Sequence, residues 1–251
     1  MRRVDISLER DRETASVRSA AGALLGRGGV IVWNDIAPEG REQFYQWHDK
    51  EHIPERLAIP GFRRGRRYVR RGHSPEWLTL YEASDLDVLT SAEYLARLNS
   101  PTPQTTSTLR FFRNTSRAVC RLMGSAGESS GGFMLAMRLS APAENAAQLC
   151  AQFGASVLTH AVAINGVVAC HLYGADHAAS FTATAESKTR EFDVPAWIVL
   201  AEASRPDAAE RVPALVTSAL AHLGATLRDA AVYTLEICRL APAFSIGDPT
   251  R

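Results

Sequence analysis

Short apolar runs rich in β-branched and aromatic residues alternate along this chain with longer stretches of helical spacing. Val30-Ile31-Val32-Trp33-Asn34-Asp35-Ile36, preceded by Gly28-Gly29, reads as a buried strand. Pro38-Glu39 then opens a helix, because proline is tolerated in the first turn and the helix dipole favours an acid there. The pattern carries this helix to about His52, where Pro54 and then Pro60-Gly61 are expected to end it and turn the chain. Strands follow at about 62–70 and 77–83, a helix at about 86–98 and a strand at about 109–122. The stretch 124–132 has the composition of a flexible linker. The same order then restarts, with a strand at 133–140, a helix at 143–162, strands at 166–173 and 196–203, a helix at 207–223 and a strand at 230–240.

The second pass resembles the first in wording as well as order. Trp77-Leu78-Thr79-Leu80-Tyr81-Glu82-Ala83-Ser84 returns as Trp197-Ile198-Val199-Leu200-Ala201-Glu202-Ala203-Ser204, and Cys120-Arg121-Leu122 returns as Cys238-Arg239-Leu240. Two β-α-β-β-α-β units imply an α+β fold of two fused ferredoxin-like halves. Each half would be a four-stranded antiparallel sheet with helices on one face. Packing sheet to sheet would cover the other face. The division expected is an N-terminal extension 1–28, a first unit 29–123, the linker 124–132, a second unit 133–241 and a tail 242–251. Val17, Ala20, Ala21, Leu24 and Leu25 have the spacing of a short extra helix in the extension. The segment 174–194 is longer than its counterpart and reads as a loop over a pocket or an insertion without structure.

Composition narrows the classes of function. A hydrophobic share of 46% allows each half a core, and a net charge of +1 gives no global reason to expect nucleic acid or a membrane surface. No apolar run is long enough to span a bilayer, and no secretory signal pattern precedes the first strand. The four scattered cysteines suit a reduced, cytoplasmic protein, with Cys120 and Cys238 packed as small core residues.

The residues around the first helix carry a resemblance. Trp47-His48-Asp49-Lys50-Glu51-His52-Ile53-Pro54, then Pro60-Gly61-Phe62 and Arg66-Arg67-Tyr68, are similar to the pattern of EthD-like and related members of the dimeric α/β-barrel superfamily. The resemblance implies a barrel made by two ferredoxin-like units, here in one chain. It also implies a chemistry drawn from cofactor-independent monooxygenases, lactone isomerases, polyketide cyclases, dehydratases and haem-binding enzymes. The second half has neither the paired histidines nor the Arg-Arg-Tyr run, so a site is expected in the first half.

On a helical wheel Phe44, His48, Glu51 and Glu55 share one face, with Trp47 and His52 at its margins. The expected equivalents of His48, Glu51, His52 and Glu55 are Gln152, Ala155, Ser156 and Thr159. His48 or His52 is the candidate general acid/base and Glu51 its orienting partner. Tyr68 or Tyr81 is the candidate hydrogen-bond donor and Arg67 the stabiliser of an anion or enolate. Trp33, Asn34, Trp47 and Tyr81 are candidate substrate contacts, Trp33 and Tyr81 because Ala136 and Ala201 stand for them in the second half. Trp77 and Trp197 recur and read as core. Two histidines at i,i+4 could chelate zinc, but a third ligand is not evident. The run Arg63–Arg71 alternates faces on a strand, placing Arg67 with Val69 and Arg66 with Tyr68 and Arg70. It reads as a solvated, acid-balanced edge or a grip on an anionic ligand rather than a nucleic-acid surface. The leading expectation is a small-molecule enzyme without organic cofactor acting on an aromatic or polyketide-like compound. A non-catalytic binding protein and a haem protein using one histidine are the alternatives. Exposed sheet edges would also permit a homodimer.

Overall fold

The structure, a computed structural model, describes residues 23–189 and 192–242. Its elements in chain order are β1 (Gly28–Ile36), a long helix α1, β2 (Phe62–Val69), β3 (Trp77–Ala83), α2 (Ala92–Asn99), α3 (Pro103–Leu109) and β4 (Phe112–Gly127). Then come β5 (Phe133–Ser140), a long helix α4, β6 (Val167–Ala175), the short α5 (His177–Ser180), β7 (Trp197–Ala203), α6 (Pro206–Ala209), α7 (Val212–Leu220) and β8 (Thr226–Leu240). The helix expected at 17–25 lies mostly outside the described residues.

The eight strands close into one antiparallel barrel in the order β1-β3-β2-β8-β5-β7-β6-β4. Read across each half, the order is β4-β1-β3-β2 and then β8-β5-β7-β6. The halves meet edge to edge, through β2 with β8 and β4 with β6. Their inward faces pack against each other in one buried cluster. Closure pairs all the strand edges, which removes the edges that a pair of open sheets would expose. β4 runs on to Gly127, so residues 124–127 form ladder with β6 and do not act as linker.

Strand alternation sorts the side chains. Ile31 and Trp33 of β1, Tyr68 of β2, Leu78 and Leu80 of β3, and their partners on β4–β8 form a buried cluster inside the barrel. Arg66 and Glu82 share this parity and sit with Glu202 in a buried ion cluster. Arg66 lies 3.0 Å from Glu82 and 2.9 Å from Glu202, and Arg64 Nε lies 2.7 Å from Glu82 Oε1. The Arg63–Arg71 run is acid-balanced as expected, but its middle is buried and only Arg71 is largely exposed. Arg64, Arg66 and Arg67 are each under 10% exposed and each is ion-paired. Backbone N–H groups tie in as well, Leu25 donating to Glu82 at 2.9 Å and Gly131 to Glu202 at 3.0 Å. Of the two cysteines read as core, Cys120 is buried, whereas Cys238 is exposed beyond a bulge at Glu236 in β8.

The helices cover the outer face. α1 comprises Arg41–Trp47, a widened π-helical turn at His48–His52, and Ile53–Leu57. Pro54 does not end it, contrary to the sequence expectation. In the widened turn the Ile53 N–H donates to the His48 carbonyl, and the helix continues through the proline. α4 has the same construction, with Ala146–Gln152, a π turn at Phe153–Val157 and Leu158–Val162. It has no proline, so Pro54 is accommodated by the widened turn and is not its cause.

Candidate active site

The matching π turns and strand registers fix which residues occupy equivalent places in the two halves. Gly28 pairs with Ala83 as Phe133 pairs with Ala203. His48 thus corresponds to Phe153, Glu51 to Ser156, His52 to Val157 and Trp33 to Arg138, one or two places from the equivalences the sequence suggested. Beneath α4 the apolar side chains form one continuous cluster in which Phe153 and Val157 are buried. Beneath α1 they divide in two. Ile53, Leu57, Phe62 and Tyr94 belong to one cluster, Phe44, Trp47, Trp77 and Leu109 to the other. A pocket lies between them, lined by Asn34, Trp47, His48, His52, Arg56, Thr79, Tyr81, Tyr94, Arg117 and Glu186 among others.

His48 is almost completely buried and both its ring nitrogens are engaged. Nδ1 lies 3.0 Å from Arg67 Nη1, and Nε2 lies 3.1 Å from the Tyr81 hydroxyl. A guanidinium can only donate, so Nδ1 is the acceptor. Burial, and then the positive charge of Arg67, hold the imidazole well below its usual pKa, so it is neutral. The neutral ring then carries its proton on Nε2 and donates it to Tyr81. The tyrosine oxygen is thereby an acceptor toward His48, and its own proton is free to point into the pocket. Burial raises the Tyr81 pKa above its ordinary value, so the hydroxyl stays protonated. Arg67 is anchored in turn by Asp49 at 2.5 Å and Glu236 at 2.9 Å.

This arrangement changes several roles expected from sequence. His48 is neighboured by a cation and not a carboxylate, so its basicity is lowered where a general base would need it raised. Glu51 turns away from both histidines to the Thr102 and Thr105 hydroxyls, where Trp47 Nε1 also donates to Thr105 at 2.9 Å. It fastens α1 to α3. Tyr68 and Trp33 point into the barrel and do not reach the pocket. His48, His52, Trp47, Tyr81 and Asn34 do line one pocket, with Arg67 behind His48. His52 is half-buried, its ring 4.2 Å from that of Trp47.

Three further ionisable residues belong to the pocket. Arg56 is ion-paired with Glu186, and Arg117 Nη2 lies 3.3 Å from the Tyr94 hydroxyl. Arg56 lies one turn beyond His52 and would have been visible had the helix been read past Pro54. Nothing in the local pattern marks Glu186. It comes from the long segment before β7, and its backbone N–H donates to the Leu98 carbonyl at 3.1 Å. That segment packs over the first half's pocket.

The enclosed space is about 50 Å³. Pockets that hold drug-sized ligands run to roughly 300–1,000 Å³, so such a ligand can be admitted only if part of the wall moves. A haem, like any drug-sized ligand, needs far more room than this, and both ring nitrogens of His48 are already engaged. Among the described residues no group of three or more His, Cys, Asp or Glu is placed to hold a metal ion. His48 and His52 stack, with ring centroids 5.7 Å apart, and do not converge on a point. Among the described residues no helix is long and apolar enough to cross a membrane.

No protein-family model matches the sequence, and no curated protein matches it. Solved structures do resemble it. An anthrone oxidase-like protein superposes with a TM-score of 0.59 at 10% identity, over 88% of this chain and 96% of that one. A protein assigned as a monooxygenase from Lactobacillus acidophilus NCFM gives 0.52 at 9% identity, over 86% and 96%. A chlorite dismutase variant from Candidatus Nitrospira defluvii gives 0.50 at 12%, over 90% and 95%. The likeness shows the fold of this chain: an α+β closed barrel of eight antiparallel strands.

Proposed function

We propose that the chain is a small-molecule oxidative enzyme that acts on an aromatic compound in the pocket under α1 and needs no organic cofactor. The observation that carries this reading is the Arg67–His48–Tyr81 chain. It presents one protonated tyrosine hydroxyl from the sheet into a pocket walled by aromatic rings. Such a donor, held by neighbours and shielded from water, stabilises negative charge developing on a carbonyl oxygen. A compound whose CH₂ group is acidified by a conjugated carbonyl would lose a proton to His52, the more accessible imidazole. Tyr81 would hydrogen-bond the resulting enolate oxygen. An electron-rich enolate can reduce dioxygen directly, the net change being CH₂ + O₂ → C=O + H₂O. The names of the structural neighbours, an anthrone oxidase-like protein and a monooxygenase, agree with a reaction of this kind.

We also read the two halves as diverged ferredoxin-like copies of one unit, the second of which has filled the place of the pocket with Phe153 and Val157. The test is aerobic incubation of the purified protein with anthrone, following oxygen uptake and anthraquinone formation against the uncatalysed rate. The reading expects one O₂ consumed per quinone formed, with no Soret absorption and no loss of rate on adding a chelator. A protein that binds anthrones and hydroxynaphthalenes but oxidises none of them would be a binding protein, and the enzymatic reading would fall.

A further inference from the structure

Two guanidinium groups line the same end of the pocket beside Tyr94, and one carboxylate faces them. The Arg56 guanidinium stands over the Tyr94 ring, 5.9 Å from its centroid, and Arg117 reaches the Tyr94 hydroxyl from the other chain segment. Arg56 is 2% exposed. Its Nη2 is paired with Glu186, while Nη1 makes no hydrogen bond among the described residues and lies 3.6 Å from Glu55. Arg117 makes no ion pair among the described residues. Its Nη1 reaches only the Ser180 carbonyl, at 3.4 Å. In the pocket wall the two arginines face the single carboxylate of Glu186, with Glu55 a further 3.6 Å partner of Arg56 on α1.

We infer that this end of the pocket is a carboxylate-binding subsite, in which Arg56 and Arg117 hold the acid group of an aromatic acid and Glu186 is the internal carboxylate it replaces. A planar guanidinium matches a carboxylate in two parallel hydrogen bonds, and the buried Nη1 of Arg56, without a hydrogen bond of its own, favours an acceptor. The segment carrying Glu186 separates this pocket from a smaller void that is also lined by Tyr94, Leu98, Arg117 and Glu186. On this inference, displacement of that carboxylate from Arg56 would join the two spaces. The acid group then lies at the Tyr94 end, and the ring reaches toward Tyr81 and His52.

This inference rests on the pocket proposed above as the active site but needs no turnover to test. Calorimetry on the intact chain would compare 2-naphthoate with 2-naphthamide, which share a ring and differ in charge. Naphthoate is expected to bind at least about tenfold tighter, the size of one charge-assisted hydrogen bond. Arg117→Met should abolish that preference while leaving the amide unaffected. Glu186→Gln should strengthen naphthoate binding severalfold without strengthening the amide. Arg56→Lys, which keeps the charge but not the planar fork, should reduce the preference with less risk to folding than truncation. Equal affinities for acid and amide, or a preference that survives Arg117→Met and ignores Glu186→Gln, would overturn the subsite and leave the pocket standing. Failure of both compounds to bind would overturn the pocket as well.

Discussion

His48 shows how far a residue's role depends on what the fold sets beside it. Two histidines four apart on a helix were visible in the sequence, as was the parity placing Arg67 on the opposite face from Tyr68. That parity brings Arg67 to His48 and sends Tyr68 into the barrel. The consequence is a pH dependence with a definite sign. The folded imidazole has its pKa depressed below 6.5, so below that pH the unfolded chain binds a proton that the native chain does not. Stability conferred by His48 is complete above about pH 6.5 and is lost as the pH falls, by up to about 1.4 kcal/mol per pH unit. Thermal unfolding between pH 5 and 7.5 should show that slope, and His48→Gln should flatten it. Glu202 acts lower on the scale. Burial raises its pKa, but His171 and Arg66 outweigh burial and hold it at about 2, so its contribution is present above pH 4.5 and lost only below. Glu51 was misread because its partners stand on α3, a helix the hydrophobic pattern does not show. The signal for α3 was local. Thr102 caps it, accepting from the Thr105 N–H, and Pro103 occupies its first turn.

At the scale of elements, the two long helices carry the same π turn over different interiors. Apolar periodicity located both, yet it could not show that one helix seals a continuous core and the other roofs a divided one. Three positions on α1, His48, His52 and Arg56, make that difference, and their consequence depends on β3 and on the segment before β7. The turns entering β2 and β6 are alike as well. Gly61 and Gly166 both have positive φ, 92° and 98°. A Cβ on Gly166 would come within 2.7 Å of Ala208 Cβ. Gly166→Ala should therefore cost about 1–3 kcal/mol through backbone strain and crowding, read as a lower urea midpoint with an unchanged slope. The same change in an exposed helix would be neutral or favourable.

At the scale of the molecule, the strands and the barrel they imply were legible from the chain, and the edge pairings that close it were not. Period-two runs located all eight strands. How the edges of the two four-stranded sheets join depends on pairings such as Arg66 with Cys238 and Cys120 with Ala175, far apart in sequence. The Arg63–Arg71 run misled for the same reason, because its acidic partners Glu82, Glu202 and Glu236 lie on three other strands. Breaking the interior cluster from one side leaves a buried charge without its partner. Arg66→Met is expected to destabilise the fold by about 3–5 kcal/mol, measured by chemical denaturation. Edge-to-edge closure has a further consequence. A fragment ending at residue 127 would expose the β2 and β4 edges together with the apolar inner face. It should self-associate, with a dimer the smallest species in native mass spectrometry. A stable monomeric fragment would contradict the dependence of each half on the other.

The central claim is that the pocket under α1 is where chemistry occurs, with Tyr81 held as a donor by His48 and His52 as the proton acceptor. Oxygen uptake with anthrone by the wild type, Tyr81→Phe, His52→Ala and the distant control His160→Ala tests it most directly. The expected loss is roughly 10–100-fold for Tyr81→Phe and at least about 100-fold for His52→Ala, with His160→Ala unchanged and all four proteins folded. Wild-type rates in both pocket variants would contradict it and place the reaction elsewhere on the barrel.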